Sequence, residues 1–279
     1  MKSESGKSTV NSESCTTLPV RELFLGSGMD IQRFIYGLSF ADSDMHYTEF
    51  ELQKVAELDA SWGEDGDPLV GTSIEETQKL RFIQGCYWDI PKASHAVRQY
   101  VEWRKDLKQT LVGAPNPRDP HTWLYFFGTD RSLRPVLIID CKRLLEKKAE
   151  AHSETFVQDT IIEVMNYFVE RLSTPGRIEQ VIAIANLEGC SVWSTPVEEI
   201  EDCVRALTSR FRARLNKLFV INTPLIFYAF WKVIKVFIPE RTQAKVAIFR
   251  SDYHDDLYRW IDHDQIDPLF RRSTPVLTG

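Results

Sequence analysis

The sequence predicts an α/β protein in which a helical N-terminal subdomain leads into a mainly parallel sheet with helices packed against it. Three observations carry this. Through about residue 107, apolar residues recur at helical spacing behind capping signals. Beyond the Gly/Pro-rich "GAPNPRDP" (113 to 120), short β-branched runs alternate with helical patterns. Those runs are continuously apolar, as strands are when a parallel sheet is covered on both faces.

Taken in order, "MKSESGKSTVNSESCTTLPV" (1 to 20) is rich in Ser, Thr and Glu and reads as a disordered tail. It has no apolar core of a secretory signal. Residues 21 to 72 form an extension and linker. Within it "ELFLGSGMDIQRFIYGLSF" (22 to 40) is apolar and Gly-broken, with no assignable element. Thr48 and Glu51 make a capping box for a helix through Leu58, and "SWGEDGDPLVGTS" (61 to 73) is an acidic linker. The helical subdomain spans 73 to 115. Ser73 and Glu76 open a helix that stops near Gly85, and Asp89 caps a second whose apolar stripe is Ala93, Ala96, Val97, Tyr100 and Val101.

The larger domain is expected over 116 to 279. Its strands are "PVLIID" (135 to 140), "QVIAIANLEG" (180 to 189), "LFVIN" (218 to 222) and "KVAIF" (245 to 249). Helices are expected over Phe156 to Leu172, Val197 to Leu215 and Pro224 to Pro239.

Composition narrows the function. A net charge of −6 over 279 residues offers no basic field for nucleic acid. Five scattered cysteines, odd in number and without a C-x-x-C, read as reduced thiols of a cytosolic protein. The segment "NTPLIFYAFWKVIKVFIPE" (222 to 240) stands apart, because only Lys232 and Lys235 interrupt its apolar run. As a helix it would rise about 21 Å, short of the roughly 30 Å of a bilayer's hydrocarbon. Thr223 suits the N-cap and Pro224 the first turn. Leu225, Tyr228, Lys232 and Lys235 share one stripe, and Ile226, Phe227, Phe230, Val233, Ile234 and Phe237 cover the rest. Two readings stay open: a core helix with snorkelling lysines, or a helix wetted by lipid.

Five stretches resemble the CRAL-TRIO lipid-binding family. "LRFIQGCYWDIPKASHAVRQYVEWRKDL" (80 to 107) is similar to its helical signature and "RPVLIID" (134 to 140) to its first sheet strand. "IANLEGCS" (184 to 191) is similar to its D-L-x-G strand end. "RLNKLFVINTPLIFYAFWKVIKVFI" (214 to 238) resembles its strand and gating helix, and "TQAKVAIF" (242 to 249) its T-x-x-K strand. The order of the five is the family's order.

The resemblance implies an α/β/α sandwich enclosing an apolar lipid pocket. It implies a carrier of one amphipathic lipid, phosphatidylinositol favoured, that opens the 224 to 238 helix at a membrane. Phe227, Phe230, Trp231 and Ile234 would line the pocket and gate, and Thr242, Lys245 and Arg214 would hold an anionic headgroup. Lys232 and Lys235 would dock on anionic leaflets. No cofactor beyond the lipid, no catalysis, a monomeric state and a cytoplasmic, peripherally membrane-associated location follow as expectations.

The departures are specific. Cys86 and Tyr87 stand where transfer proteins for phosphatidylinositol tend to be basic. Ala213 replaces the Glu before Arg214, Leu133 the Gly of G-R-P-V and Asn186 the Asp of D-L-x-G. Val181 and Ala183 replace the Ser and Thr used for a choline headgroup.

Plainer roles exist for several of these residues. Lys245 suits a solvated strand start, Arg81 suits a helix partner such as Glu102, and Arg214 suits the end of the preceding helix. Two further functions are weighed. One is a membrane-associated scaffold or regulator that keeps the fold without lipid exchange. The other is a hydrolase built on "SDYHDDLYRWIDHDQID" (251 to 267). Against it, His254 and His263 are out of register on one helix, and Asp255 and Asp256 suit a helix's first turn. "EGCSVW" lacks a nucleophile elbow, and no P-loop or G-x-G-x-x-G is present.

Overall fold

The computed structural model describes residues 33–35, 38–40, 49–63, 66–70, 77–107, 116–174, 178–190 and 197–272. The 1 to 20 tail, the Ser73/Glu76 capping box, Thr48, Cys15 and the 113 to 115 part of the boundary lie outside these residues. A two-stranded antiparallel pair, β1 (Arg33–Ile35) and β2 (Leu38–Phe40), falls in the 22 to 40 segment.

Three helices share one N-terminal core: α1 (Glu49–Ala60), which the sequence placed in the extension, joins α2 (Thr77–Gly85) and α3 (Ile90–Leu107) of the helical subdomain. Asp89 opens α3 by accepting the Lys92 N–H at 3.0 Å, as an N-cap should. Leu58, Trp62, Leu80, Ile83, Ala93, Val97 and Tyr100 form the shared core of the three.

The sheet runs β3 (Leu124–Thr129), β4 (Pro135–Asp140), β5 (Val181–Asn186), β6 (Leu215–Ile221) and β7 (Val246–Ile248), adjacent in that order. β3 pairs antiparallel with β4, and the remaining three pairings are parallel. The sequence reading contains no β3, so the parallel sheet has an antiparallel edge it did not foresee. Asp130 and Arg134 close the β3–β4 hairpin with a 2.8 Å ion pair, and Leu133 sits there at φ 60°. A Gly would take that conformation without a Cβ penalty.

Crossovers are helical: α4 (Cys141–Ala151) and α5 (Phe156–Tyr167), then α6 (Val197–Arg210), then α7 (Phe227–Ile234) and α8 (Glu240–Gln243). α4 is also unforeseen. It follows β4 without a Gly or Pro break, and Asp140, the last strand residue, caps it through the Arg143 N–H at 3.1 Å. α5 continues as a π-turn over Phe168–Leu172, the end expected for that helix. The helix after β5 ends at Arg210, before the expected Leu215, because Leu215 opens the next strand.

Period-two alternation divides the sheet's two buried faces. Tyr125, Val136, Ile138, Ile182, Ile184 and Phe219 pack with Leu257 of α9 (His254–Trp260) and with Ile261, Ile266 and Phe270. Leu124, Phe126, Leu137, Val181 and Ala183 face α5 and Phe211. Ala185, Leu187 and Val220 continue that second face under α7. The helical subdomain docks beside it through the Trp103–Phe211 edge contact at 5.8 Å and Arg104 to Asn166 at 3.1 Å.

Candidate functional site

The second face of the sheet is incompletely filled. A cavity of about 300 Å³ lies between β4, β5, β6 and β7, α6 and the turn into α8. Leu137, Ile139, Val181, Ala183, Leu218 and Val246 make its floor, and Val204, Leu207 and Phe211 its wall. A second cavity of about 210 Å³, lined by Leu144, Leu145, Val157, Ile161 and Ile200 among others, shares Leu137, Ile139, Met165, Val204 and Leu207 with the first. The two therefore adjoin across these shared side chains, and their combined volume is of the order of small-molecule sites. Val181 and Ala183 offer this surface no hydroxyl.

One end of the first cavity is cationic. Arg212, Arg214, Arg241 and Lys245 line it with Thr242 and Tyr87, and no carboxylate is among the described lining residues. Each cation is positioned. Arg214 donates to the Glu179 carbonyl at 3.0 Å, and its guanidinium lies 5.8 Å from the Phe168 ring. Arg241 donates to the Gln84 carbonyl at 3.0 Å and stacks 4.4 Å over Tyr87. Lys245 donates to the Leu215 carbonyl at 2.7 Å. Burial, then the nearby Arg241 and Arg81, push the Lys245 ammonium down to about 8. The Nε of Arg212 is buried without an acceptor.

Behind this end, Arg81 and Glu179 form a buried ion pair joining α2 to the residues before β5. Glu102, the partner considered for Arg81, instead pairs with Lys105 at 2.7 Å. Arg81 leans inward because α2 turns that side toward the sheet domain.

The three sequence-predicted headgroup residues, Thr242, Lys245 and Arg214, therefore come together. Phe227, Phe230, Trp231 and Ile234 do not line either cavity. Phe227, Phe230 and Ile234 are buried, Trp231 half-buried, and all pack with Ala185, Leu187 and Val220. Their helix is also shorter than its apolar run. Thr223 does not cap it; its N–H and hydroxyl both bond the Phe249 carbonyl, at 3.0 and 2.9 Å. The helix begins at Phe227, gives way at Lys235 to a 3-10 turn, and leaves Lys232 and Lys235 exposed. Beside them Leu225 and Val236 are about seven-tenths exposed, and Tyr228, Val233 and Ile226 are exposed too. Both halves of the two open readings thus have residues here: a packed face and an apolar face in solvent.

Arg212, Arg241, Tyr87 and Glu179 were not singled out as site residues. Their signal was present: "RAR" at 212 to 214, and Arg241 four residues before Lys245 at the spacing of one helix face. In the 251 to 267 segment Asp256 pairs with Arg259 and Asp255 with Arg272, each at 3.0 Å. Among the described residues no cluster of His, Cys, Asp or Glu is disposed to hold a metal.

A sequence model of the CRAL/TRIO domain matches residues 120–270. This chain belongs to the CRAL/TRIO family. Patellin-4 of Arabidopsis thaliana is 23% identical over 212 residues, which are 74% of this chain and 39% of Patellin-4. The phosphatidylinositol/phosphatidylcholine transfer protein SFH11 of the same plant is 23% identical over 216 residues, 68% of this chain and 54% of that protein. The chain thus spans only part of these two relatives. The SEC14 cytosolic factor of Candida glabrata is 21% identical over 218 residues, 73% of this chain and 72% of that protein. The crystal structure of Sfh5 has the same fold, with a TM-score of 0.58 at 14% identity over 75% of this chain and 83% of Sfh5. The CRAL/TRIO match takes in the sheet, α7 and the cavity lining apart from Gly85 and Tyr87, so the motifs read from the sequence identify the right family.

Proposed function

We propose that this chain binds one amphipathic lipid, with its acyl part in the two adjoining cavities and an anionic headgroup among Thr242, Lys245 and Arg214, and exchanges it at a membrane surface. The observation that carries the reading is a pair of adjoining apolar cavities, the first with Arg212, Arg214, Arg241 and Lys245 gathered at one end. The activity is non-covalent. Ile139, Leu218 and Val246 line the first cavity and also pack against the cluster under α7. Lifting α7 therefore extends the same apolar floor over Ala185, Leu187 and Val220, which is what a gate must do. Relatives named as a phosphatidylinositol/phosphatidylcholine transfer protein and as SEC14 support the ligand class. The loss of hydroxyls at Val181 and Ala183 favours phosphatidylinositol over a choline lipid. No helix among the described residues is long and apolar enough to cross a membrane, so contact with a bilayer is assigned to the exposed side of α7.

The test is lipid extraction and mass spectrometry of natively purified protein, with Ala183→Phe alongside. Near-stoichiometric phospholipid in the wild type, reduced severalfold when the ring fills the cavity floor, is expected. A folded protein that carries none and takes none from vesicles would sink the reading and leave the scaffold role.

Docking has its own expected result. Each basic residue near an anionic leaflet contributes about 1 kcal/mol. Lys232→Gln with Lys235→Gln is expected to weaken binding to phosphatidylserine vesicles by roughly thirtyfold at low salt. The difference should vanish at high salt, where the Debye length shortens to a few ångströms. A salt-independent loss in vesicle sedimentation would mean that the lysines serve the fold instead.

A further inference from the structure

We propose that Cys141 and Cys190 form a modification site beneath α7, a thiol pair that a peroxide oxidises to a disulfide and that slows lipid exchange while the bridge lasts. The regulatory half of this inference rests on the carrier reading above, whereas the chemistry of the pair does not. Neither cysteine is among the described lining residues of the two cavities, and the proposed exchange uses no thiol.

The sheet brings the two together. β4 and β5 are parallel neighbours, and Asp140 and Asn186 are partners in their register. Cys141 follows Asp140 directly as the first residue of α4. Beyond Asn186 the chain turns tightly: the Cys190 N–H returns to the Leu187 carbonyl at 3.1 Å, and Gly189 takes a φ of 66°. That turn lies on the start of α4, since a Cβ at Gly189 would stand 3.3 Å from the Lys142 Cδ. The two thiols come within hydrogen-bonding reach of each other. Both pack against the cluster of Ala185, Leu187, Val220, Phe227, Phe230 and Ile234 that seats α7.

The contact also divides the roles. The hydrogen bond from the Cys141 thiol holds Cys190 below the usual thiol range, and the same bond, then burial, holds Cys141 well above it. The thiolate is the nucleophile in such chemistry, which assigns the first step to Cys190. Cys190 is only half-buried and follows the exposed Glu188 and Gly189, where a small solute can reach it. Its thiolate attacks one oxygen of hydrogen peroxide. The O–O bond breaks, Cys190 becomes a sulfenic acid, and the hydroxide released is protonated to water. The Cys141 sulfur then attacks the Cys190 sulfur, the S–O bond breaks, and the departing hydroxide takes the Cys141 proton as water. Two thiols and one peroxide thus give a disulfide and two waters, with two electrons passing from sulfur to oxygen. A dithiol reductant reverses the bridge. Cys86 is a contrast: it is buried in the helical core, and burial raises its thiol, so it offers no such nucleophile. The bridge fastens the turn carrying Leu187 to α4, so the seat of α7 can no longer give as that helix lifts.

The experiment treats the reduced full chain with stoichiometric hydrogen peroxide, blocks the remaining thiols with N-ethylmaleimide and maps the cysteines by peptide mass spectrometry. A bridged peptide pair containing Cys141 and Cys190 is expected, dithiothreitol should remove it, and Cys86→Ser should leave it unchanged. Closing a loop of roughly 50 residues should raise Tm by several degrees. Neither effect should occur in Cys141→Ser or Cys190→Ser. Transfer of a fluorescent phosphatidylinositol between vesicles should slow at least threefold on oxidation of the wild type and recover with dithiothreitol. Because bridging and its reversal are read on the wild type, the test survives a Ser variant that does not fold. A folded chain whose Cys141 and Cys190 stay open to alkylation, or reach sulfinic acid without pairing, overturns the proposal. A bridge that leaves transfer at the reduced rate overturns its regulatory half. Reduced protein that transfers no lipid counts against the carrier reading instead, and the mapping still decides whether the bridge forms.

Discussion

Glu179→Ala is expected to destabilise the folded chain by about 3–5 kcal/mol, the cost of stranding one member of a buried ion pair. The Arg81 side chain is 1% exposed and that of Glu179 3%. Truncating Glu179 leaves the guanidinium with the Ala213 carbonyl at 3.4 Å, and Arg81 already bears on Lys245. For a domain of this size the loss corresponds to a fall in Tm of roughly 6–20 °C. Replacing both partners by apolar groups, Arg81→Met with Glu179→Leu, should recover most of it, because no charge then stays buried. Thermal and urea unfolding of the two singles and the double would decide. A single substitution costing under about 1 kcal/mol would show that water reaches the pair. The pair matters beyond stability because it ties α2 to the residues before β5 at the cationic end of the cavity. Loosening it should blur the placement of Arg241, whose anchor Gln84 lies on α2.

The fold was largely legible because its strongest signals are local. Continuous β-branched runs marked β4 to β7, and the cap at Asp89 marked α3. What escaped was set by neighbours. "LYFFGT" becomes β3 by pairing with β4, a contact far less visible in its own residues than in the hairpin that Asp130 and Arg134 close. α4 starts without punctuation because a strand residue serves as its cap. The gate segment looked like one long helix, yet Thr223 is drawn to the Phe249 carbonyl and the helix starts four residues later.

The candidate site divides in the same way. Thr242, Lys245 and Arg214 were readable because a family motif carries them, and they converge. Arg212 and Arg241 belong to no motif quoted from the sequence. Their meaning appears only when β6 and α8 bring them to one cavity. The partner of Arg81 was likewise out of reach, since Glu179 lies 98 positions away and nearer carboxylates compete on paper.

Leu225→Asp with Val236→Asp should lower vesicle-to-vesicle lipid transfer at least tenfold while leaving stability within about 0.5 kcal/mol, since both side chains already face solvent. Fully burying a Leu or Val in an apolar phase gains about 1.5–3 kcal/mol. Even partial entry by two of them is therefore worth about two orders of magnitude in membrane occupancy at 1.4 kcal/mol per tenfold. Phe230→Asp is the informative contrast. Phe230 is 7% exposed and packs on the sheet, so the carboxylate must either be buried or push α7 off Ala185, Leu187 and Val220. That variant should lose stability and empty its cavity, whereas the surface pair should keep its lipid and fail only to exchange it. If the surface pair transfers at the wild-type rate, the exposed side of α7 does not enter the membrane, and another surface must be found for docking. If it loses its lipid as Phe230→Asp does, the outer residues hold the gate shut, and the division of α7 into a packed face and a membrane face is wrong.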